Sequence, residues 1–447
     1  MSEQQEPARW PRIEPQPDAN NASASSAGDA AQSTAPAASV AAGGAQSGTF
    51  RSLRHRNYQL YFGGQLISVA GTWMQAVAQA WLVYELSHSD LTLGIVGFAA
   101  ALPALIVSPW GGVIVDRVPK RGLLIVTQAS AMLLAFILAA LAFTNTVQVW
   151  HVVALAAGLG LVNAFDGPAR QAFVVEMVGR EDLTNAIALN SMMFNSARVI
   201  GPAIGGILLA SLGSSWCFLL NGLSYLAVIA GLWAMQLSPR TVRRATDAPL
   251  KELAGGLKYV WHHVEIFALL MVALIYAVFG LSYATVLPAF ADQVLNSGAT
   301  GYGLLNAAVG LGAVIGALII ARSGGGSSRG RLMVLASLVF PVVLFVFAYT
   351  GLFPLSLALA LGLGTLFMVQ FTLINTMLQL RVADEMRGRV LSLYSLTFFG
   401  FAPFGNLATG NLAGYWGLSP TIAISAAVAL ILFLVVFMFV PRLRKLE

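Results

Sequence analysis

The chain is 447 residues long, 57% hydrophobic and only 10% charged, with a mean hydropathy of +0.75; soluble domains carry roughly a quarter charged residues, so a water-exposed globule is excluded. A formal charge of +6 and a pI of about 9.6 would raise nucleic-acid binding in a soluble protein, yet the basic residues sit in short gaps between apolar runs and report topology instead. The single cysteine, Cys217, excludes a disulfide framework and a cysteine metal site.

Residues 1–50 are rich in Ala, Ser, Gly, Gln and Pro, with little to bury, and read as a disordered cytoplasmic tail. They lack the apolar core of a signal peptide, so no cleavage is expected. From Tyr58 onward, apolar segments long enough to cross a hydrocarbon core of ~30 Å recur. They cover 58–85, 91–115, 122–144, 148–167, 184–212, 216–237, 264–290, 300–321, 332–350, 355–378, 390–412 and 419–440. The longest polar break, 238–263, carries Arg240, Arg243, Arg244, Lys251 and Lys258 and reads as a cytoplasmic linker. It separates a six-helix bundle over 51–237 from a second over 264–440, and a basic cytoplasmic tail occupies 441–447.

Charge supports this layout, because short cytoplasmic loops collect Lys and Arg. With the N-terminus inside, the even-numbered gaps hold Arg117, Lys120 and Arg121, then Arg180, the linker cluster, Arg322, Arg329 and Arg331, and finally Arg381, Arg387 and Arg389. None of the 25 Lys and Arg falls in an external loop. An even number of spans with both ends in the cytoplasm follows, in the inner membrane.

Along the first span, Gln65, Ser68, Thr72, Gln75 and Gln79 alternate spacings of three and four and share one helix face. Such a face turns from lipid toward protein or water. After the second span the chain reads Gly112-Val-Ile-Val-Asp116-Arg117-Val-Pro119-Lys120-Arg121. This resembles the signature of the major facilitator superfamily, Gly-x-x-x-Asp-Arg-x-Gly-Arg/Lys-Arg/Lys, with Pro119 in place of the usual Gly. The resemblance implies a major facilitator fold, an all-α membrane protein of twelve transmembrane helices in two pseudo-symmetric six-helix bundles. It also implies that the motif steadies the outward-facing state through the fourth and eleventh helices, with Asp166, Arg170 and the region of Arg387 and Arg389 as candidate partners. Lys120 and Arg121 equally serve topology. In the family the first helix of each half lines the central pathway, so the polar stripe is expected there, with interhelical hydrogen bonding as the alternative.

The fifth span contains Asn195-Ser-Ala-Arg198-Val-Ile-Gly201-Pro202-Ala-Ile-Gly205-Gly206. Gly-Pro-x-x-Gly-Gly is similar to the core of the antiporter signature of drug-exporting members, although Ala188 and Ala197 stand where further glycines are usual. Proline bends a helix and glycines permit close packing whatever the direction of transport. Arg198 costs about 2.5–3.5 kcal/mol on insertion scales, against about 0.3–0.6 kcal/mol gained per Leu or Ile. It is expected to face the bundle interior, either meeting an anionic substrate or pairing permanently with an acid.

In the seventh span Tyr276, Gly280 and Tyr283 repeat the three-and-four spacing with aromatics, and Asn306, Gln370 and Asn375 complete the candidate cavity. The stretches Asp166-Gly-Pro-Ala-Arg170 and Arg387-Gly-Arg389 narrow the resemblance to the branch containing the enterobactin exporter and related secretion proteins. Candidate proton carriers are Glu85, Asp116, Asp166 and Asp292; no His pattern resembles a metal site. The expectation is a monomeric exporter of small amphipathic molecules, drug- or siderophore-like, using the proton gradient and no cofactor. Its partners are substrate, protons and membrane lipid, with no nucleic acid; an importer of the same fold is the alternative. An intramembrane enzyme is disfavoured, since His-Glu-x-x-His and paired intramembrane carboxylates are missing from the sequence.

Overall fold

Among the described residues, twelve segments are helical, long and apolar enough to cross a membrane. The computed structural model describes residues 50–179, 181–236, 249–322 and 329–445; within these, the side chains of 108–113, 116, 195, 249–254, 384, 399 and 444–445 are not described. The expected tail up to residue 49, Arg180 and the first part of the linker lie outside the described residues. The first half comprises α1 (Arg56–Ser87), α2 (Asp90–Arg117), α3 (Lys120–Phe143), α4 (Val149–Val178), α5 (Leu183–Leu212) and α6 (Ser214–Ala234). The remainder of the linker forms α7 (Pro249–Trp261). The seventh span, Val264–Val294, is broken: α8 (Val264–Ile275) and α9 (Tyr283–Ala289) each run into a π-helical turn, at Tyr276–Gly280 and Phe290–Val294. Then follow α10 (Gly298–Arg322), α11 (Arg329–Tyr349), α12 (Phe353–Arg381), α13 (Asp384–Trp416) and α14 (Leu418–Phe439).

The two halves repeat one packing plan. In the first, α2 lies on α4, α3 on α4 and α6, and α1 on α5 and α6; in the second, α10 lies on α12, α11 on α12 and α14, and the seventh span on α13 and α14. Between halves, α2 meets α13 and α5 meets α10. The second helix of each half thus touches the fifth of the other, the pairing that a pseudo-twofold axis generates. Local chemistry repeats as well. Gly213, with φ +85, ends α5 and caps α6, and Gly417, with φ +83, ends α13 and caps α14. Both are in a backbone region essentially reserved for glycine, which lets the chain reverse in one residue.

Helices α1 and α14 begin and end at one face, called here the terminal face. Tryptophan and tyrosine ring both faces: Trp233 and Trp261 are exposed near the terminal face, and Trp150, Tyr349, Tyr415 and Trp416 at the opposite one. Amphipathic rings at both ends of apolar helices are the pattern of a membrane-spanning body.

Expected boundaries move most at three spans, and the eleventh runs Asp384–Trp416 where 390–412 was expected. The fourth span does not stop at 167: α4 continues through Pro168 to Val178, placing Asp166 and Arg170 inside it. Their charges compensate one turn apart, which removes the reason for the helix to end there. The seventh span is longer than expected, and its π turn between Tyr276 and Gly280 breaks the regular spacing.

Candidate functional site

Arg198 sits at the middle of α5, and three glycines explain how that helix is placed. A Cβ on Gly201 would stand 2.6 Å from the Ala70 carbonyl oxygen and from the Trp73 Cβ, and one on Gly205 would be 3.2 Å from the Met74 Cα. These two seat α5 on α1. Gly206 faces the other way, toward Gly303 on α10, so the motif wedges α5 between its own half and the opposite one. About two turns further along, a Cβ on Gly310 of α10 would lie 2.8 Å from the Arg198 carbonyl oxygen. Backbone contact across the halves therefore brackets the arginine.

The guanidinium of Arg198 lies 5.4 Å from the ring centre of Trp73 on α1 and 4.9 Å from that of Phe367 on α12. Trp73, Phe367 and the break in the seventh span all fall near the middle of their helices. Tyr276 and Tyr283, either side of that break, lie within electrostatic reach of Arg198. Among the described residues, Arg198 has no carboxylate partner and no hydrogen-bond acceptor; its contacts are aromatic faces. Cation–π contacts contribute about 0.5–2 kcal/mol each, which offsets part of the cost of holding the charge at mid-depth.

Behind Phe367, Tyr276 is buried against Phe340, Phe367 and Phe433 at 4.5, 5.8 and 6.4 Å between ring centres. Tyr283 is buried against Phe347 at 6.0 Å. The Tyr276 hydroxyl and both amide atoms of Gln370 are buried and have no hydrogen-bond partner among the described residues. Asn306, half-buried, donates back to the Tyr302 carbonyl at 2.9 Å. Asn375 lies nearer the terminal face, where its oxygen accepts from Gln379. Phe367 thus joins Arg198 to Tyr276, with Gln370 one turn along α12 from that ring, while the hydrogen bonds of Asn306 and Asn375 stay within their own helices. Sequence reasoning passed over Trp73 and Phe367, whose only signal is an aromatic ring at mid-span.

The polar stripe of α1 turns largely into its own half. Gln65, buried, accepts from Arg170 at 3.1 Å; Gln75, also buried, accepts from Asn221 on α6 at 2.7 Å. Thr72 donates to the Ser68 carbonyl at 2.9 Å and lies 3.4 Å from the Tyr225 hydroxyl. Ser68 is buried and Gln79 half-buried. Interhelical hydrogen bonding, the alternative to cavity lining, describes Gln65 and Gln75, because α4 and α6 offer polar partners where the stripe faces them.

Toward the terminal face, Asp166 and Arg170 form an ion pair on α4. Asp166 also accepts from Thr127 and Gln128 on α3, each at 2.8 Å, while Arg170 lies 5.8 Å from the Phe194 ring of α5. One pair therefore ties four helices of the first half. The surroundings of Gly112 and the side chains of Asp116 and Asn195 lie outside the described residues. Of the rest of that loop motif, Arg117 is exposed, Lys120 pairs with Glu176 at 3.0 Å, and Arg121 donates to the Trp233 carbonyl at 2.9 Å.

At the opposite face the halves are closed on each other. The Tyr84 hydroxyl donates to Asp292 at 2.8 Å and accepts from Gln293 at 3.3 Å. Trp81 stacks on Tyr302 at 6.2 Å, and the Gly94 position meets the Asn406 carbonyl at 2.9 Å from a Cβ built there. The arginine cluster lies beneath this closure, at the depth where alternating-access transporters hold substrate.

The sequence profile of the family described as transmembrane secretion effector matches residues 47–447. The chain is 27% identical over 392 residues to the staphyloferrin A transporter of Staphylococcus aureus (strain NCTC 8325 / PS 47), covering 87% of this chain and 97% of that protein. It is 28% identical over 400 residues to the multidrug efflux pump Tap of Mycolicibacterium fortuitum, covering 86% and 95%. It is 25% identical over 342 residues to the enterobactin exporter EntS of Shigella flexneri, covering 76% and 81%. Among solved structures, the nucleoside transporter NupG superposes with a TM-score of 0.66 at 13% identity, covering 86% of this chain and 98% of that one. A bacterial homolog of the human lysosomal transporter Spinster, in an inward-facing and occupied conformation, superposes with a TM-score of 0.62 at 15% identity, covering 90% and 98%. These two likenesses concern the fold alone.

Proposed function

The chain belongs to the transmembrane secretion effector family of major facilitator transporters, and from that premise we propose that it exports small amphipathic molecules of the drug or siderophore kind in exchange for protons. The observation that carries the reading is the Arg198 cluster, a polar group at mid-depth between the two halves, beneath a face where they are closed. Its relatives include a multidrug efflux pump and a siderophore exporter, in agreement with an outward direction. The basic residues at the terminal face support a cytoplasmic side there by the positive-inside bias, and we read the chain as a monomer of the inner membrane. On this reading the structure, closed at the opposite face, corresponds to the state that loads from the cytoplasm, and opening that face releases substrate outward.

Transport in membrane vesicles of known orientation tests this. Export predicts accumulation in inside-out vesicles when the lumen is acidified, abolished by a protonophore. Accumulation only in right-side-out vesicles overturns the direction, and accumulation indifferent to the protonophore overturns the coupling.

A further inference from the structure

We propose that the Arg198 cluster is an anion-binding subsite, and that the transported compounds carry a carboxylate or similarly acidic group on an aromatic or apolar body; this rests on the transporter reading above.

A guanidinium offers five N–H donors in a planar fork and accepts nothing. The two rings that meet Arg198, Trp73 and Phe367, attract the cation without taking up any of those donors. No described residue supplies an acceptor, so the donor set of a half-buried cation stands uncommitted at the interface of the halves. The acids described elsewhere are committed or distant: Asp166 is paired with Arg170, Glu265 with Arg381, and Asp292 is hydrogen-bonded by Tyr84 at the opposite face. The mid-depth cluster therefore carries net positive charge.

Its surroundings give the rest of the specificity. Tyr276, packed on Phe367, and Gln370, one turn along α12 from that ring, carry a hydroxyl and an amide that are buried, neutral and without a partner among the described residues. They add hydrogen bonds for a polar substituent without cancelling the arginine. Trp73 and Phe367 supply flat apolar walls for a ring. A carboxylate taken bidentately by the fork, with its aromatic body against the neighbouring rings, satisfies the guanidinium and excludes a cation of the same shape. The two ring partners come from different halves, Trp73 from the first and Phe367 from the second, so the same ligand contacts both moving bodies.

The test is calorimetric titration of the purified full-length chain in detergent with three probes of one shape: 2-naphthoate, 2-naphthamide and 2-naphthylmethylammonium. The acid is expected to bind at least tenfold more tightly than the amide, and the ammonium most weakly. Arg198→Gln is expected to erase the preference and Arg198→Lys to retain part of it. Equal binding of acid and amide, preference for the ammonium, binding of none of the three, or a preference unchanged in Arg198→Gln would each overturn the proposal. The comparison of probes on the unmodified chain needs no variant, so it stands even where a substitution fails to fold. Binding is read without flux: a chain that prefers the acid but moves nothing outward in vesicles leaves this subsite standing and sinks the export reading instead.

Discussion

Gly206 on α5 and Gly303 on α10 touch backbone to backbone across the two halves, so that a Cβ built on Gly206 would stand 2.5 Å from the Gly303 Cα. Contacts this close exist only while both positions lack a side chain. Gly303→Val is expected to oppose closure by about 1–3 kcal/mol, a roughly 5- to 150-fold shift against the closed state. Substrate flux in proteoliposomes should fall by at least tenfold while the amount of inserted protein is kept. Undiminished flux would show that the contact is dispensable.

The Tyr84–Asp292 hydrogen bond joins the halves at the same face. Tyr84→Phe removes a bond to a carboxylate that is part-buried, so the effect lies near the lower end for charged partners, about 1.5 kcal/mol or roughly tenfold in population. Spin labels at Thr146 and Leu352, both exposed and one in each half, report the separation of the halves at that face. Labelling is clean because Cys217 is fully buried. The variant should shift the distance distribution toward longer values; an unchanged distribution would remove Tyr84 from the closure.

Asp166 is 1% exposed and holds Arg170. Asp166→Asn leaves a half-buried guanidinium uncompensated and is expected to cost about 3 kcal/mol, with Asp166→Asn combined with Arg170→Met recovering part of it. The apparent unfolding midpoint in detergent reads the difference. A double variant no better than the single one would mean that the pair acts through something other than charge compensation.

Gln75 separates packing from substrate contact. As a partner of Asn221, its replacement by Leu should lower stability by about 0.6 kcal/mol, and at most about 1.7 kcal/mol, with the range of exported compounds unchanged. A changed substrate range at unaltered stability would return Gln75 to the cavity.

The twelve spans were legible because length and apolarity are sufficient to state that a helix crosses a membrane, and the segregated Lys and Arg counted the spans a second way. The continuation of α4 past Pro168 was hidden, since Asp166 and Arg170 look like a polar end until their mutual pairing is known. The α1 stripe was legible as a face that avoids lipid, but periodicity alone does not say whether water or a neighbouring helix lies opposite; Asn221 and Arg170 decided it for Gln75 and Gln65. Arg198 was found because charge at mid-span is expensive. Its partners Trp73 and Phe367 were not, because a ring in an apolar run is unremarked until something packs on it.

The one-residue reversals at Gly213 and Gly417 leave no spare chain between α5 and α6 or between α13 and α14. A joint without slack cannot absorb sliding, so each pair travels as a stiff lever. When the halves rock, displacement is then forced onto the helix surfaces where α5 meets α10 and α2 meets α13, and a longer linker at either glycine would be expected to uncouple the stroke while leaving both halves folded.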